Sequence, residues 1–190
     1  FYAEGTDTWN TESLTSLNLF SDRSFYYVTT SAGTGKRIAS AAEPSATAGL
    51  TFSQFDDQIY YEKDLFNVGK VGRRWFGEPF NINNTQTFAF TIPNLDVTVP
   101  VEVKINTASK SYGNSSFNFK VNGQDLGNVN FPQIVPNGGI EGYETALNTT
   151  FLATSSTLSF LVSYSNGGVP NSNGYLDFIR CKVKRNLTGY

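Results

Sequence analysis

Histidine and methionine are absent from the 190-residue sequence, and cysteine occurs once. Without histidine, these residues can assemble no Ser-His or Cys-His nucleophile pair and no histidine-rich zinc site. The single cysteine, Cys181, excludes an internal disulfide. It lies in the alternating segment Phe178-Ile179-Arg180-Cys181-Lys182-Val183, which predicts a small buried side chain rather than a reactive thiol. No apolar run approaches the ~20 residues of a membrane-spanning helix. Charge is sparse, at 16% of residues, with a net charge of −2 and a pI near 5.1. No basic stripe exists to displace phosphate counterions, so no nucleic-acid partner is expected. The chain lacks methionine and opens on Phe1-Tyr2-Ala3-Glu4-Gly5, which reads like the end of a strand. It is therefore expected to be a piece of a longer protein.

Hydroxyl, amide and aromatic side chains take the place of charge, a composition that suits an extracytoplasmic β-protein. Strands are predicted at Phe25 to Thr30, Ser53 to Glu62 and Gln86 to Ile92. Another is predicted from Val97 to Ile105, where valines and an isoleucine alternate, with Pro100 marking an edge or bulge. Ser116 to Val121 and Leu126 to Phe131 flank Asn122-Gly123, the strongest two-residue hairpin signal. Ala146 to Leu152, Thr157 to Tyr164 and Tyr175 to Val183 complete the set. Alternation places Phe88, Phe90 and Ile92 on one core face with the valines from Val97 to Val103. No amphipathic helix of normal length is present. Short strands at regular intervals predict an all-β, jelly-roll-like sandwich of the galactose-binding or carbohydrate-binding-module type. The long loops at 132–142 and 165–174 suit Greek-key crossovers. Residues 1–50 are expected to form an N-terminal strand extension packed on the sandwich of residues 51–190, in a single compact unit.

Charge, aromatic surface and glycine concentrate together in one stretch, from Phe55 to Glu78. Asp56, Asp57, Glu62 and Asp64 face Lys63, Lys70, Arg73 and Arg74 across a turn at Asn67 to Gly69. Tyr60, Tyr61, Arg73, Arg74 and Trp75 are the candidate interaction surface. Glu62, Asp64, Arg73 and Glu78 are the candidate structural charge cluster. Adjacent strand residues point to opposite faces, so Arg73 and Arg74 are expected to differ in role, with Arg73 the structural one. By the same rule, one of Trp75 and Phe76 must face inward. Gly72 and Gly77 bracket the pair and suggest a backbone bent to seat the larger ring, so Trp75 is expected to be mainly buried. Exposure of Trp75 beside Tyr60 or Tyr61 would instead favour sugar or peptide binding.

Other chemistries fail on spacing. Gly33-Thr34-Gly35-Lys36-Arg37 imitates a phosphate loop, but Thr30 stands where its first glycine belongs and Arg37 where its Ser or Thr belongs. Carboxylate pairs for glycoside hydrolysis would have to come from Asp56, Asp57, Glu62, Asp64, Glu78, Glu141 or Glu144, and the sequence brings no two of them to a defined distance. Asp56 and Asp57 have the hard-oxygen chemistry of a calcium site but match no defined loop, so solvated charge is the expected reading. No metal, no cofactor and no catalytic residue is assigned.

Several of these segments, taken in order, resemble a known family. They are Phe1-Tyr2-Ala3-Glu4-Gly5 with Trp9, Ser24 to Val28 with Gly35-Lys36-Arg37-Ile38, and Tyr61-Glu62-Lys63-Asp64. Gly72-Arg73-Arg74-Trp75-Phe76-Gly77-Glu78, Tyr175-Leu176-Asp177-Phe178-Ile179 and Arg185-Asn186-Leu187 follow. Together they are similar to the region before the catalytic domain in the PorU family. These are gingipain-related cysteine peptidases, sortases of the type IX secretion system of Bacteroidetes. The most specific part is Glu-x-Asp followed by Gly-Arg-x-Trp-Phe-Gly-Glu; the closing strand is generic to jelly rolls. The resemblance implies a non-catalytic domain of a surface enzyme that processes secreted cargo, at the outer-membrane surface or in the periplasm. The implied partners are the catalytic domain of the same chain, cargo, or other secretion proteins. The family's catalytic Cys and His have no matching positions here. A carbohydrate-binding module is the alternative, with a glycan as a less favoured ligand.

Overall fold

The computed structural model describes residues 25–27, 33, 38–43, 45, 49–70, 72 and 74–187. The chain divides into two compact units, Phe1–Gly49 and Leu50–Tyr190. Much of the N-terminal extension expected over residues 1–50 lies outside the described residues. Of the strand expected at Phe25 to Thr30, Phe25 to Tyr27 are described and carry no strand.

Among the described residues, the second unit holds nine strands: β1 (Gln54–Glu62), β2 (Pro79–Phe80), β3 (Thr85–Thr91), β4 (Val101–Lys110), β5 (Ser115–Val121), β6 (Gln124–Phe131), β7 (Tyr143–Phe151), β8 (Thr157–Ser165) and β9 (Asn173–Asn186). They form two antiparallel sheets packed as a sandwich. One has the order β1-β9-β4-β7, with β2 also paired to β9; the other has the order β3-β8-β5-β6. The pairings nest: β1 with β9, β3 with β8, β4 with β7 and β5 with β6. The second unit is thus one long hairpin folded over on itself, which is the jelly-roll topology. Its tip is the Asn122-Gly123 turn, where both residues take positive φ (48° and 85°) as a type I′ turn requires. The connections 132–142 and 166–172 each carry the chain from one sheet to the other, as their length suggests.

Period-two alternation builds the core. Phe117, Phe119 and Val121 of β5 and Leu158, Phe160 and Val162 of β8 face Val101, Val103 and Ile105 of β4 and Leu176, Ile179 and Cys181 of β9. Cys181 is 1% exposed, and burial pushes its thiol pKa up to about 12. Buried hydroxyls are satisfied across the sheets: Ser109 bonds Ser115 at 2.7 Å and Tyr164 at 2.8 Å. Gly174 is placed by close approach. A Cβ there would stand 2.6 Å from the Phe117 ring and 2.7 Å from that of Tyr164.

One expectation is corrected. The strand predicted from Val97 begins at Val101, and Val97 is exposed. Pro100 has no N–H to give a ladder, and Asp96 turns the chain before it by accepting from the Thr98 N–H at 2.9 Å. Phe88 and Ile92 are buried as expected, and Phe90, half-buried between the Tyr61 and Phe160 rings, packs against the same core.

Candidate functional site

The stretch between β1 and β2 forms a short arm. Its two limbs are pinned at Phe66 and Phe76, which exchange backbone hydrogen bonds of 2.8 Å in both directions. Asn67 accepts from the Lys70 N–H at 3.2 Å to close the turn between them. The arm is tied to β9 by Gly77 N–H to Leu176 O at 2.6 Å and Leu176 N–H to Glu78 O at 3.0 Å. This close approach explains Gly77, where a Cβ would stand 3.1 Å from Lys63 O and 3.2 Å from Leu176 O.

Alternation then sets what each side chain does. Phe76 is 5% exposed, and the Phe66 and Phe76 rings both lie against Tyr175, at 6.0 and 6.2 Å. Trp75 is 43% exposed. The expectation that Trp75 is mainly buried is therefore corrected: one of the pair does face inward, and it is the phenylalanine. Tyr175 offers a ring-sized seat that Phe76 fills.

Arg74 is on the Phe76 side, its guanidinium carbon 4.9 Å from that ring's centre. It forms a bidentate pair with Glu144 of β7 (Nε–Oε2 3.1 Å, Nη2–Oε1 2.6 Å) and reaches Asp177 Oδ2 of β9 at 2.6 Å. Asn106 of β4 donates its amide to both carboxylates, at 2.6 Å to Glu144 and 2.8 Å to Asp177. The β4–β9 register shifts between Asn106 and Thr107, which are opposite Phe178 and Leu176. Asp177 is the extra residue of that bulge, and the bulge brings its carboxylate to the arm. Its side chain is 1% exposed. Burial raises the Asp177 pKa, opposed by Asn106 and Arg74. Burial alone would raise Glu144 too, but the hydrogen bonds from Arg74 and Asn106 hold it below the usual carboxylate range. Burial disfavours the charge on Arg74, and its two carboxylates more than offset this, so its pKa is raised.

The candidate residues separate. Tyr61 turns to the core, against Phe88 at 5.3 Å and Phe90 at 6.0 Å, and its hydroxyl donates to Glu78. Lys63 bonds the same Glu78 oxygen at 2.9 Å. Burial would raise the Glu78 pKa, but these two donors hold it low. Tyr60 lies on the outer face, its ring 5.4 Å from that of Phe178 and its hydroxyl donating to Glu62 at 2.5 Å. Burial raises the Glu62 pKa, and the Asp177 and Asp64 charges add to the rise. Asp64 is exposed, and Arg73 lies outside the described residues. Among the described residues, Arg74 makes ion pairs here, with Glu144 and Asp177. Asp56 and Asp57 pair with Lys184 at 2.5 Å and Arg185 at 2.7 Å. No group of three or more metal-binding side chains forms among the described residues.

The sequence reading missed Asp177 and Asn106 as site residues and named Glu144 only among possible catalytic carboxylates. Asp177 did carry a signal. It is a lone acid in the apolar run Leu176-Asp177-Phe178-Ile179, and a buried acid needs a partner.

No protein-family model matches the sequence, and no curated protein matches it. Among solved structures, the chain is similar to dimeric latent PorU from Porphyromonas gingivalis. The match has a TM-score of 0.61 and 20% identity, over 75% of this chain and 14% of that one. The fold is that of a region of PorU. This chain therefore spans only a small part of the PorU chain that it matches. Two CBM36 domains are also similar at the level of fold. One is a carbohydrate-binding module in complex with calcium and xylotriose (TM-score 0.42, 14% identity, 66% of this chain and 98% of that one). The other comes from a multidomain xylanase of the hindgut metagenome of Trinervitermes trinervoides (TM-score 0.43, 8% identity, 71% and 99%).

Proposed function

We propose that this chain is a non-catalytic accessory domain of a cell-surface, PorU-like cysteine peptidase that processes type IX secretion cargo. It positions cargo or a partner, or packs against the catalytic domain, at the outer-membrane surface or in the periplasm. The observation that carries this reading is the PorU fold match over three-quarters of the chain. The ordered segments that resemble the same family add to it. The absence of histidine agrees with chemistry housed elsewhere in the parent protein.

The second reading is a carbohydrate-binding module, favoured by the exposure of Trp75. A sugar platform needs a second exposed ring beside the first. Tyr61 is unavailable, because it packs on Phe88 and Phe90. The test uses the immobilised chain and three probes: a type IX cargo signal domain, the peptidase domain of PorU, and xylotriose. The expected result is retention of one of the two proteins, no cleavage of either, and no micromolar response of tryptophan fluorescence to xylotriose. A micromolar xylotriose response without protein retention overturns the proposal in favour of sugar binding.

A further inference from the structure

We propose that Asn137 is a site of non-enzymatic deamidation, where the loop joining β6 to β7 converts to aspartate and isoaspartate as the protein ages. The chain holds four Asn-Gly pairs: Asn122-Gly123, Asn137-Gly138, Asn166-Gly167 and Asn173-Gly174. Such a pair favours the reaction because glycine has no Cβ to hinder attack by its own backbone nitrogen. At Asn137 the Gly138 nitrogen gives up its proton and bonds to the side-chain Cγ. The Cγ–Nδ2 bond breaks, and ammonia leaves with that proton. Water then opens the five-membered succinimide at either carbonyl. One opening gives aspartate; the other puts the side-chain carbon into the main chain as isoaspartate. Water is the only co-reactant.

Attack requires the asparagine side chain and the next peptide to rotate together, so a fold that holds either one suppresses it. Three of the pairs are held. Asn122 donates its amide to Thr157 O at 2.9 Å, accepts from the Ser159 N–H at 2.8 Å, and gives its own N–H to Ser159 O at 2.9 Å. Asn173 and Gly174 lie in the β4–β9 ladder opposite Lys110 and Ser109. Asn166 accepts from the Gly168 N–H at 3.0 Å, and Gly167 is packed so closely that a Cβ there would stand 1.9 Å from Asn114 O.

Asn137 is not held in this way. Its loop is pinned at the start by Ile134 N–H to Ser111 O at 2.8 Å and at the end by the ion pair of Glu141 with Lys110. Between these pins, Val135 to Ile140 are all exposed. The Asn137 side chain makes no hydrogen bond among the described residues. Gly138 N–H bonds Val135 O at 3.0 Å, closing a surface turn in which Asn137 takes a left-handed φ of 60°. That conformation is costly for a residue with a Cβ, and exposed turns of this kind open with little free energy. The product changes the loop in two ways. A carboxylate replaces an amide in the segment that already carries Glu141, and isoaspartate lengthens the main chain between the two pins. This loop carries the chain from one sheet to the other.

The experiment incubates the intact chain at mildly alkaline pH, once folded and once in concentrated urea, and follows conversion by chymotryptic peptide mapping with tandem mass spectrometry. Cleavage after Leu126 and Tyr143 separates Asn137 from the other three pairs. In the folded chain, Asn137 is expected to convert about tenfold faster than each of the other three, because their reaction waits on local opening. In urea the four rates are expected to converge. Asn137→Gln is expected to remove the leading acidic species from an ion-exchange profile of the aged folded protein without moving the melting temperature. Another pair converting as fast as Asn137 in the folded chain overturns the proposal. So does an Asn137 advantage that persists undiminished in urea, or an acidic species that survives in Asn137→Gln. Protection of Asn137 in the folded chain, with conversion only in urea, overturns it as well.

Discussion

Phe117→Ala is expected to cost about 3–5 kcal/mol, the range for an aromatic ring deleted from a close-packed core. Phe117 is fully buried. Its ring centre lies 4.8 Å from that of Tyr164, 5.1 Å from Phe80, 6.0 Å from Phe119 and 6.2 Å from Phe131. Phe80 belongs to the five-stranded sheet and the others to the four-stranded one, so this ring joins the two halves of the sandwich. The site is closed on all sides and cannot collapse cheaply, because the same ring also presses on Gly174. Domains are typically stable by only about 5–15 kcal/mol, so the variant should show a much lower urea midpoint with an unchanged slope. Phe90→Ala, at a half-buried position, should lose clearly less. A loss under ~1 kcal/mol at Phe117, the size of a surface change, would contradict the packing.

Arg74→Met should cost about 2–3 kcal/mol at neutral pH. Breaking a fully buried ion pair costs about 3–5 kcal/mol and an exposed one about 1 kcal/mol or less. Arg74 falls between these limits: its own side chain is half exposed, while that of Asp177 is 1% exposed. The loss leaves Asp177 and Glu144 close together with Asn106 as their remaining shared donor. The loss should also depend on pH, and its sign follows from the carboxyl groups. The folded Asp177 pKa is already raised above 3.8 by burial, and without the opposing Arg74 it must rise further. An acid whose folded pKa exceeds its unfolded one destabilises the fold at high pH and stops doing so as it is protonated. The deficit of the variant relative to the parent should therefore shrink as pH falls from neutral towards 3.8. Urea melts at several pH values give the comparison. A deficit that stays constant or grows on acidification would show that Asp177 does not depend on Arg74.

The fold was legible because alternation is a local property. Phe117-Asn118-Phe119-Lys120-Val121 and Leu158-Ser159-Phe160-Leu161-Val162 each reveal their inner face without knowledge of a partner. Asn122-Gly123 declares its own turn. The alternation of Val97 and Val99 misled, since the period continues past the point where Pro100 forbids a ladder. The two-residue strand Pro79–Phe80 was too short to show any period. The site was less legible, because its partners are remote. Arg74 meets Asp177 across 103 residues and Glu144 across 70, and nothing local to Arg73-Arg74 announces either. Sequence proximity suggested Glu62 and Asp64 instead. The Trp75-Phe76 alternation was readable, but which ring faces inward depended on Tyr175, which no rule of spacing connects to the arm.

The proposal that this β-sandwich serves a PorU-like cysteine peptidase is tested most directly by determining the coding sequence downstream of Tyr190. The account predicts that the reading frame continues into a cysteine peptidase domain that supplies the catalytic cysteine and histidine. A stop codon directly after Tyr190, or continuation into a glycoside hydrolase domain, would contradict it.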